Sequence, residues 1–198
     1  MPSLNTIIKN QNTLPDLSLP RCFWCNMKNP VYISYHDNEW GRMPESEHDL
    51  YELFILETFQ AGLSWECILN KRENLRAAFD GFDIDKVCSF DEQKTEELMK
   101  NPGIIRNRAK IKACIGNSRI YKSITEEYGS FQNYLKSFTG GTVTKEPNLK
   151  ITTSPLSDAI SGDLKHRGMK FVGSVTIYAF LQAVGIVKAH TENCFLYE

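Results

Sequence analysis

Two cysteines and two histidines stand near opposite ends of this chain: Cys22 and His36 at the start, His190 and Cys194 as H-x-x-x-C in KAHTENCFLYE. Thiolate and neutral imidazole are the donors of a tetrahedral structural zinc, and two of each leave no open position for chemistry. The H-x-x-x-C spacing brings its pair about one helical turn apart. Cys22 and His36 are farther apart, and Cys25, in C-x-x-C with Cys22, competes with His36 as a ligand. Burial of the cysteines without any metal is the plainer alternative. A metal bound by such a set would fasten the chain ends together, with pH-linked affinity because its ligands must shed protons.

A carboxylate in apolar company is the second candidate. On a wheel of about 100° per residue, SEHDLYELFILETFQAG places Leu50, Leu53 and Phe54 on one side with Glu57 among them, and turns Glu52 toward water. A carboxylate on a core-facing stripe must be paired, kept neutral, or aimed at a cavity that receives something polar or positive. Phe23, Trp24, Tyr32, Tyr35, Trp40 and Trp65 lie nearby in sequence, and the first third of the chain holds every tryptophan. Such rings commonly pack in cores. Grouped around one carboxylate, they would also hold a flat cationic ring by stacking, cation–π attraction and a charge-assisted hydrogen bond. A positively charged nucleobase is one such ring. YHDNEWG, residues 35–41, follows neither a helical nor a strand period, so it reads as an irregular segment.

LKHRGMKFVGSVTIYAF carries Gly168 and Gly173 around a short apolar turn ahead of a helix. This could be an ordinary αα-hairpin, or one that offers backbone N–H groups to a DNA phosphate without reading sequence. Basic residues alternate through GIIRNRAKIK at Arg106, Arg108, Lys110 and Lys112, and crowd again at Lys165, His166, Arg167 and Lys170. Solvated helix faces explain such runs equally well.

The elements that must position these groups are mostly helices. Capped or broken helical runs are expected from Ser46 to Gly62, across SWECILNKRENLRAAF from Ser64, across DEQKTEELMK, after the NPG break at 101–103, and across FQNYLKSF, SDAISGDLKHRG and SVTIYAFLQAVG. Residues 140–155 form the only long irregular stretch, rich in turn formers. Few segments alternate as strands do, so the expected class is all-α. The 198 residues fit a tail over 1–20 and a single domain over 21–198. A formal net charge of −1 argues against binding nucleic acid by bulk charge alone. There is no bilayer-length apolar run and no secretory signal, which points to an intracellular, cytoplasmic protein with reduced cysteines.

Taken in order, YHDNEWG, ETFQAGLSW, KRENLRAAF, GIIRNRAKI, RGMKFVG and H-x-x-x-C resemble the DNA-3-methyladenine glycosylase I family, from about Arg21 to Cys194. The resemblance implies an all-α helix-hairpin-helix DNA glycosylase domain with one structural zinc joining its terminal segments. It further implies hydrolysis of the N-glycosidic bond of 3-methyladenine in alkylated double-stranded DNA, by a monomer. Carried over by motif, Cys22, His36, His190 and Cys194 match the metal ligands, which disfavours Cys25. Glu57 matches the carboxylate that contacts the methylated base, and Tyr35 and Trp65 match the rings that enclose it. Trp24, Tyr32 and Trp40 fall at further pocket positions. Leu63 matches the residue that enters the DNA stack, with Gln60 and Gly62 beside it, and Gly168, Lys170 and Gly173 lie in the phosphate-binding hairpin. For Asp37, Asn38 and Glu39 the expected role is local hydrogen bonding.

Helix-hairpin-helix glycosylases generally carry an aspartate shortly after the hairpin, and none lies between Lys170 and His190. That absence fits an enzyme restricted to purines already made cationic and labile by methylation. Two rivals differ in class. A non-catalytic zinc-stapled damage-binding module would keep hairpin and metal without needing Glu57 opposite Trp65. A catalytic metallohydrolase would need an open metal position, which four protein ligands deny.

Overall fold

The computed structural model describes residues 15–146 and 150–197. Residues 1–14, most of the expected tail, lie outside the described residues. The architecture is helical and is organised around one central helix.

That helix, α2 (Glu47–Gln60), starts at Ser46, whose Oγ accepts the Asp49 N–H at 3.0 Å. From Leu50 to Phe59 every residue is buried, so beyond its exposed first turn α2 has no solvent face and a one-sided wheel cannot describe it. The expectation for Glu52 therefore fails. It is 1% exposed and is gripped by Arg72 (Nε to Oε1, 2.6 Å) and by Arg76 (Nη2 to Oε1, 2.6 Å; Nε to Oε2, 2.9 Å). Burial raises the Glu52 carboxyl, but the two guanidinium groups outweigh it and hold it below its ordinary value. Arg72 also binds Glu39 at 2.6 Å, which ties the end of YHDNEWG to the same network.

Before α2 comes α1 (Pro30–Asn38), with Asn29 as its cap and Pro30 in its first turn. The first half of YHDNEWG is thus the last turn of a helix and not an irregular segment. The run after Ser64 is two helices, α3 (Trp65–Leu69) and α4 (Arg72–Ala78). They part where Asn70 accepts a hydrogen bond from Asn29 and Lys71 reaches the Gly103 carbonyl. Then follow α5 (Ile84–Ser89), α6 (Glu92–Lys100), the long α7 (Arg108–Tyr128) and α8 (Phe131–Thr139). Asn107 caps α7, and Gly129, at φ +80°, ends it in the left-handed conformation that glycine tolerates.

Helix α9 (Pro155–His166) opens on a Ser154–Ser157 capping box, and α10 (Ser174–Ala183) follows it. One departure from an all-helical chain is a parallel pair of two-residue strands, β1 (Thr144–Lys145) and β2 (Val187–Lys188). It anchors the irregular stretch and directs the chain out of α10 toward His190. No described helix is long and apolar enough to cross a membrane.

The apolar core is one cluster in which α2 packs against α7, α8 and α10 through Tyr51, Phe54, Tyr121, Phe131 and Phe180. Removing one partner of a buried ion pair leaves a charge without compensation, at a typical cost of about 3–5 kcal/mol. Glu52→Ala removes the buried carboxylate between Arg72 and Arg76, each of which keeps one more exposed partner in Glu39 or Glu73, and is expected to lower unfolding stability by the low end of that range, roughly 3 kcal/mol. Urea denaturation that showed an unchanged midpoint would contradict this.

Candidate functional site

Helix α2 ends at the pocket it serves. Glu57, one turn from its C-terminus, shares a cavity of about 240 Å³ with Phe23, Trp24, Tyr32, Tyr35, Trp40, Gln60, Trp65, Ala179 and Gln182. That is below the range of about 300–1,000 Å³ for pockets holding drug-sized ligands and suits a single flat ring system. The structure thus brings together all six expected pocket residues, Glu57 with Tyr35, Trp65, Trp24, Tyr32 and Trp40. The Tyr35 and Trp65 rings lie 5.2 Å apart at a tilt of 51°, and Trp24 lies 5.7 Å from Tyr32 and 4.7 Å from Trp40.

Among the described residues, Glu57 Oε2 and Trp65 Nε1 are buried polar atoms without a hydrogen-bond partner. Two such atoms bordering one cavity are a standing cost unless a ligand satisfies them. Burial also pushes the Glu57 carboxyl up to about 8. The empty pocket therefore holds it largely uncharged at neutral pH.

Behind Trp40 lies the cysteine–histidine group. Ligand atoms of Cys22, His36, His190 and Cys194 all fall within 4.8 Å of one another. Cys194 Sγ is 3.5 Å from His36 Nε2 and 3.4 Å from His190 Nδ1, and Cys22 Sγ is 3.5 Å from His190 Nδ1. Tetrahedral zinc with bonds of about 2.3 Å to sulfur and 2.0–2.1 Å to nitrogen requires S···N edges near 3.5 Å. The residues fit a metal ion of that kind. Cys25 stands apart, its Sγ 3.9 Å from the Tyr32 carbonyl.

Of the three residues expected to bond locally, Asn38 does so, to Ser34 one turn back, whereas Glu39 reaches Arg72 and Asp37 serves this centre. Asp37 accepts two bonds from Arg21 (2.7 and 2.6 Å) and takes His36 Nδ1 at 2.8 Å, which fixes the His36 ring with Nε2 toward the other ligands. Gly41, at φ +80°, donates its N–H to the Ala183 carbonyl at 2.9 Å. It faces Gly185 so closely that a Cβ on Gly185 would fall 2.3 Å from the Gly41 oxygen. That contact brings the end of YHDNEWG against the end of α10 and sets His190 4.6 Å from Trp40, ring to ring. Metal group and pocket therefore share a wall. Ala179 and Gln182 are pocket residues that the sequence did not single out, and Phe23, grouped there with the aromatic residues near Glu57 but not among the positions carried over by motif, also lines the pocket. Phe23 sits in the same aromatic run, whereas nothing in their own motifs distinguishes Ala179 and Gln182.

The remaining expected residues occupy two surface features. Gln60 borders the pocket, and beyond it Gly62 adopts φ +76° and Leu63 is a 39% exposed apolar side chain between two pocket-lining positions. Gly168, at φ +103°, begins the α9–α10 connection, Lys170 is exposed within it, and Gly173 caps α10 without a side-chain bond. Much of the basic clustering is internally satisfied: Arg108 and Lys112 pair with glutamates of α6, Arg167 pairs with Glu127 and Asp163, and Lys110 is buried.

A sequence profile described as methyladenine glycosylase matches residues 24–197. The chain is 43% identical over 183 residues to DNA-3-methyladenine glycosylase 1 of Escherichia coli K12, covering 90% of this chain and 97% of that protein. Its fold is similar to a crystal structure of 3-methyladenine DNA glycosylase I, with TM-score 0.85, 42% identity, and coverage of 90% of this chain and 100% of the other. A structure concerning 3-methyladenine recognition by the Staphylococcus aureus glycosylase I matches with TM-score 0.80 at 37% identity, covering 85% of this chain and 92% of the other.

A carboxyl raised on folding contributes stability that is complete below its ordinary pKa and is lost as pH rises through its folded value, here about 8. Glu57→Gln abolishes that loss. The variant is expected to gain on the wild type between pH 5.5 and pH 9, by on the order of 1–3 kcal/mol. Denaturant unfolding at the two pH values measures the gain, and a difference independent of pH would contradict it.

Proposed function

As the chain belongs to the methyladenine glycosylase family, we propose that it is a base-excision repair enzyme hydrolysing the N-glycosidic bond of 3-methyladenine in alkylated double-stranded DNA, leaving an abasic site. The observation that carries this reading is the unpartnered Glu57 oxygen inside an aromatic cavity sized for one ring system.

Methylation at N3 makes adenine a cation and hence a good leaving group. The enzyme's tasks are then extrusion of the base, its recognition, and toleration of positive charge moving to the sugar. Flipping costs a few kcal/mol, and Leu63 entering the vacated stack offsets part of it. Gln60 and Gly62 shape the turn that presents Leu63. The connection from Gly168 through Lys170 to Gly173 serves as the hairpin that grips phosphate through the backbone amides of its second half, because the Gly168, Met169 and Lys170 N–H groups are bonded to Lys165, Leu164 and Asn117.

In the pocket, Tyr35 and Trp65 enclose the base while Trp24, Tyr32 and Trp40 complete the wall. Glu57 supplies the discriminating contact. A cation arriving beside it lowers its pKa, so the carboxyl ionises and a charge-assisted hydrogen bond forms. Neutral adenine brings no such charge and leaves the carboxyl protonated. Water then attacks C1′ as the C1′–N9 bond breaks. The methylated base departs with the bonding electrons as a neutral molecule, and a proton from water passes to solvent. With the cation gone, Glu57 takes up a proton again and its hold on the product weakens. Glu57 thus acts first in recognition, touching the leaving base.

Zinc on Cys22, His36, His190 and Cys194 would be structural, because four protein ligands leave no position for a reacting water. Its contribution is to hold the N-terminal segment carrying Trp24 against the C-terminal segment, so that the pocket wall stays assembled. Residues 21–198 act as a single domain, and the protein works as an intracellular monomer.

The test is chromatography of bases released from methylated duplex DNA, with Glu57→Ala alongside. Selective release of 3-methyladenine is expected, reduced roughly 10–100-fold in the variant by loss of a hydrogen bond to a charged group. Comparable release of 7-methylguanine or hypoxanthine would contradict the proposed selectivity. Binding of methylated DNA without any release would instead identify a damage-sensing module.

A further inference from the structure

Lys110 is a buried ion for which the mechanism above has no use. It is 7% exposed in the first turn of α7, and burial holds its ammonium below the ordinary lysine range. A cation is disfavoured at a helix N-terminus, where the macrodipole is positive, so its placement must be justified elsewhere. Its Nζ donates to the Phe59 carbonyl at 2.7 Å and to the Ala61 carbonyl at 2.6 Å. These carbonyls close α2 and open the Gln60–Leu63 turn. Gly62 there is in the left-handed region and Leu63 N–H bonds only back to Gln60. The ammonium of Lys110 therefore does what a helix cap would do, at the carbonyl end that attracts cations.

Two turns along, on the same face of α7, stands Asn117. It is 1% exposed, and its side chain both donates to and accepts from one residue of the α9–α10 connection: Nδ2 to the Lys170 carbonyl at 2.8 Å, and Oδ1 from the Lys170 N–H at 2.9 Å. The next residue, Phe171, has φ +57°, a conformation costing a non-glycine residue on the order of 1–2 kcal/mol and kept only where the surroundings over-determine it. Its ring lies 6.0 Å from Lys110 Nζ. One helix thus holds both surface features, each by a buried polar side chain bonded to backbone.

We propose that Lys110 is a positioning residue for duplex DNA, fixing the Leu63 turn at a set spacing from the Gly168–Gly173 connection that Asn117 fixes on the same face of α7. This rests on the reading of those two features as the stack-entering and phosphate-gripping elements. The span between them must match one distorted duplex, because a wedge that enters the stack does so only if the backbone is gripped at the matching distance. The base pocket makes no such demand. Of the two features only Gln60 borders that pocket, so a free base reaches neither Leu63 nor the Gly168–Gly173 connection.

The experiment compares Lys110→Met, which keeps length and removes charge and donors, with Lys110→Gln, which keeps one donor, against the wild type. Three quantities are read: affinity for a duplex carrying a tetrahydrofuran abasic analogue, excision of 3-methyladenine from methylated duplex, and affinity for free 3-methyladenine by tryptophan fluorescence. The expected result for Lys110→Met is at least a tenfold loss in duplex affinity and in kcat/KM, with free-base affinity within about twofold, and a smaller loss for Lys110→Gln. Hydrogen exchange should quicken at residues 60–64 while the middle of α2 stays protected. Unchanged duplex affinity in both variants would overturn the proposal, as would equal losses of duplex and free-base affinity, which would mark Lys110 as merely structural. If Lys110→Met does not fold, Lys110→Gln gives the same split on its own. Failure of the functional reading itself is distinguishable, since it would appear in the wild type as no excision.

Discussion

Glu57 is 3% exposed near the end of a helix buried on every side, and among the described residues its Oε2 has no hydrogen-bond partner. A carboxyl so placed is costly, and the contrast with Glu52 on the same helix shows how the fold treats the two differently. Glu52 is equally buried but is bonded by two arginines, so it stays charged and its role ends inside the fold. Glu57 is given no cation, so it stays protonated and retains its capacity to respond to one. The aromatic residues around it exclude water, which is what raises its pKa, and they present the π faces on which a flat cation would rest. In the proposed function, selectivity for a cationic base follows from withholding a counter-charge that the ligand itself brings.

Keeping such a cavity open requires walls that do not collapse onto the carboxyl. Trp24 comes from the N-terminal segment, Tyr35 and Trp40 from α1 and the residues just after it, and Trp65 from the start of α3. These short elements cannot hold position through their own packing. The Cys22–His36–His190–Cys194 group lies against Trp24 and Trp40, and the Gly41–Gly185 approach permits the two segments to meet. Arg21 and Asp37 orient His36. Helix α7 holds the Leu63 turn and the α9–α10 connection through Lys110 and Asn117.

That Cys22, His36, His190 and Cys194 come together, and that Glu57 shares a cavity with the aromatic residues, was legible in the sequence; H-x-x-x-C and a carboxylate on an apolar stripe are distinctive by themselves, while the choice of His36 over Cys25 came only with the family resemblance. The cap at Ser46 and the stop at Gly62 were likewise marked by residue type, whereas the helix expected straight after the NPG break begins only at Arg108, capped by Asn107. What stayed hidden depended on tertiary partners. Glu52 was assigned to solvent by its wheel position, and only the arrival of α4 with Arg72 and Arg76 buries it. YHDNEWG concealed a helix end because α1 has only nine residues, although Asn29 followed by Pro30 was a local start signal. Lys110 read as one member of a basic run, and its burial follows from the approach of the α2 C-terminus. The two-residue strand pair left no alternation to detect.

Infrared difference spectroscopy on the empty protein at pH 7, with the Glu57 band identified by its absence in Glu57→Gln, tests the central claim most directly. The account predicts a protonated-carboxyl C=O band that is replaced by carboxylate bands when a permanently cationic methylated purine is added. Glu57 already ionised in the empty pocket at that pH, or remaining protonated with the cation bound, would contradict it.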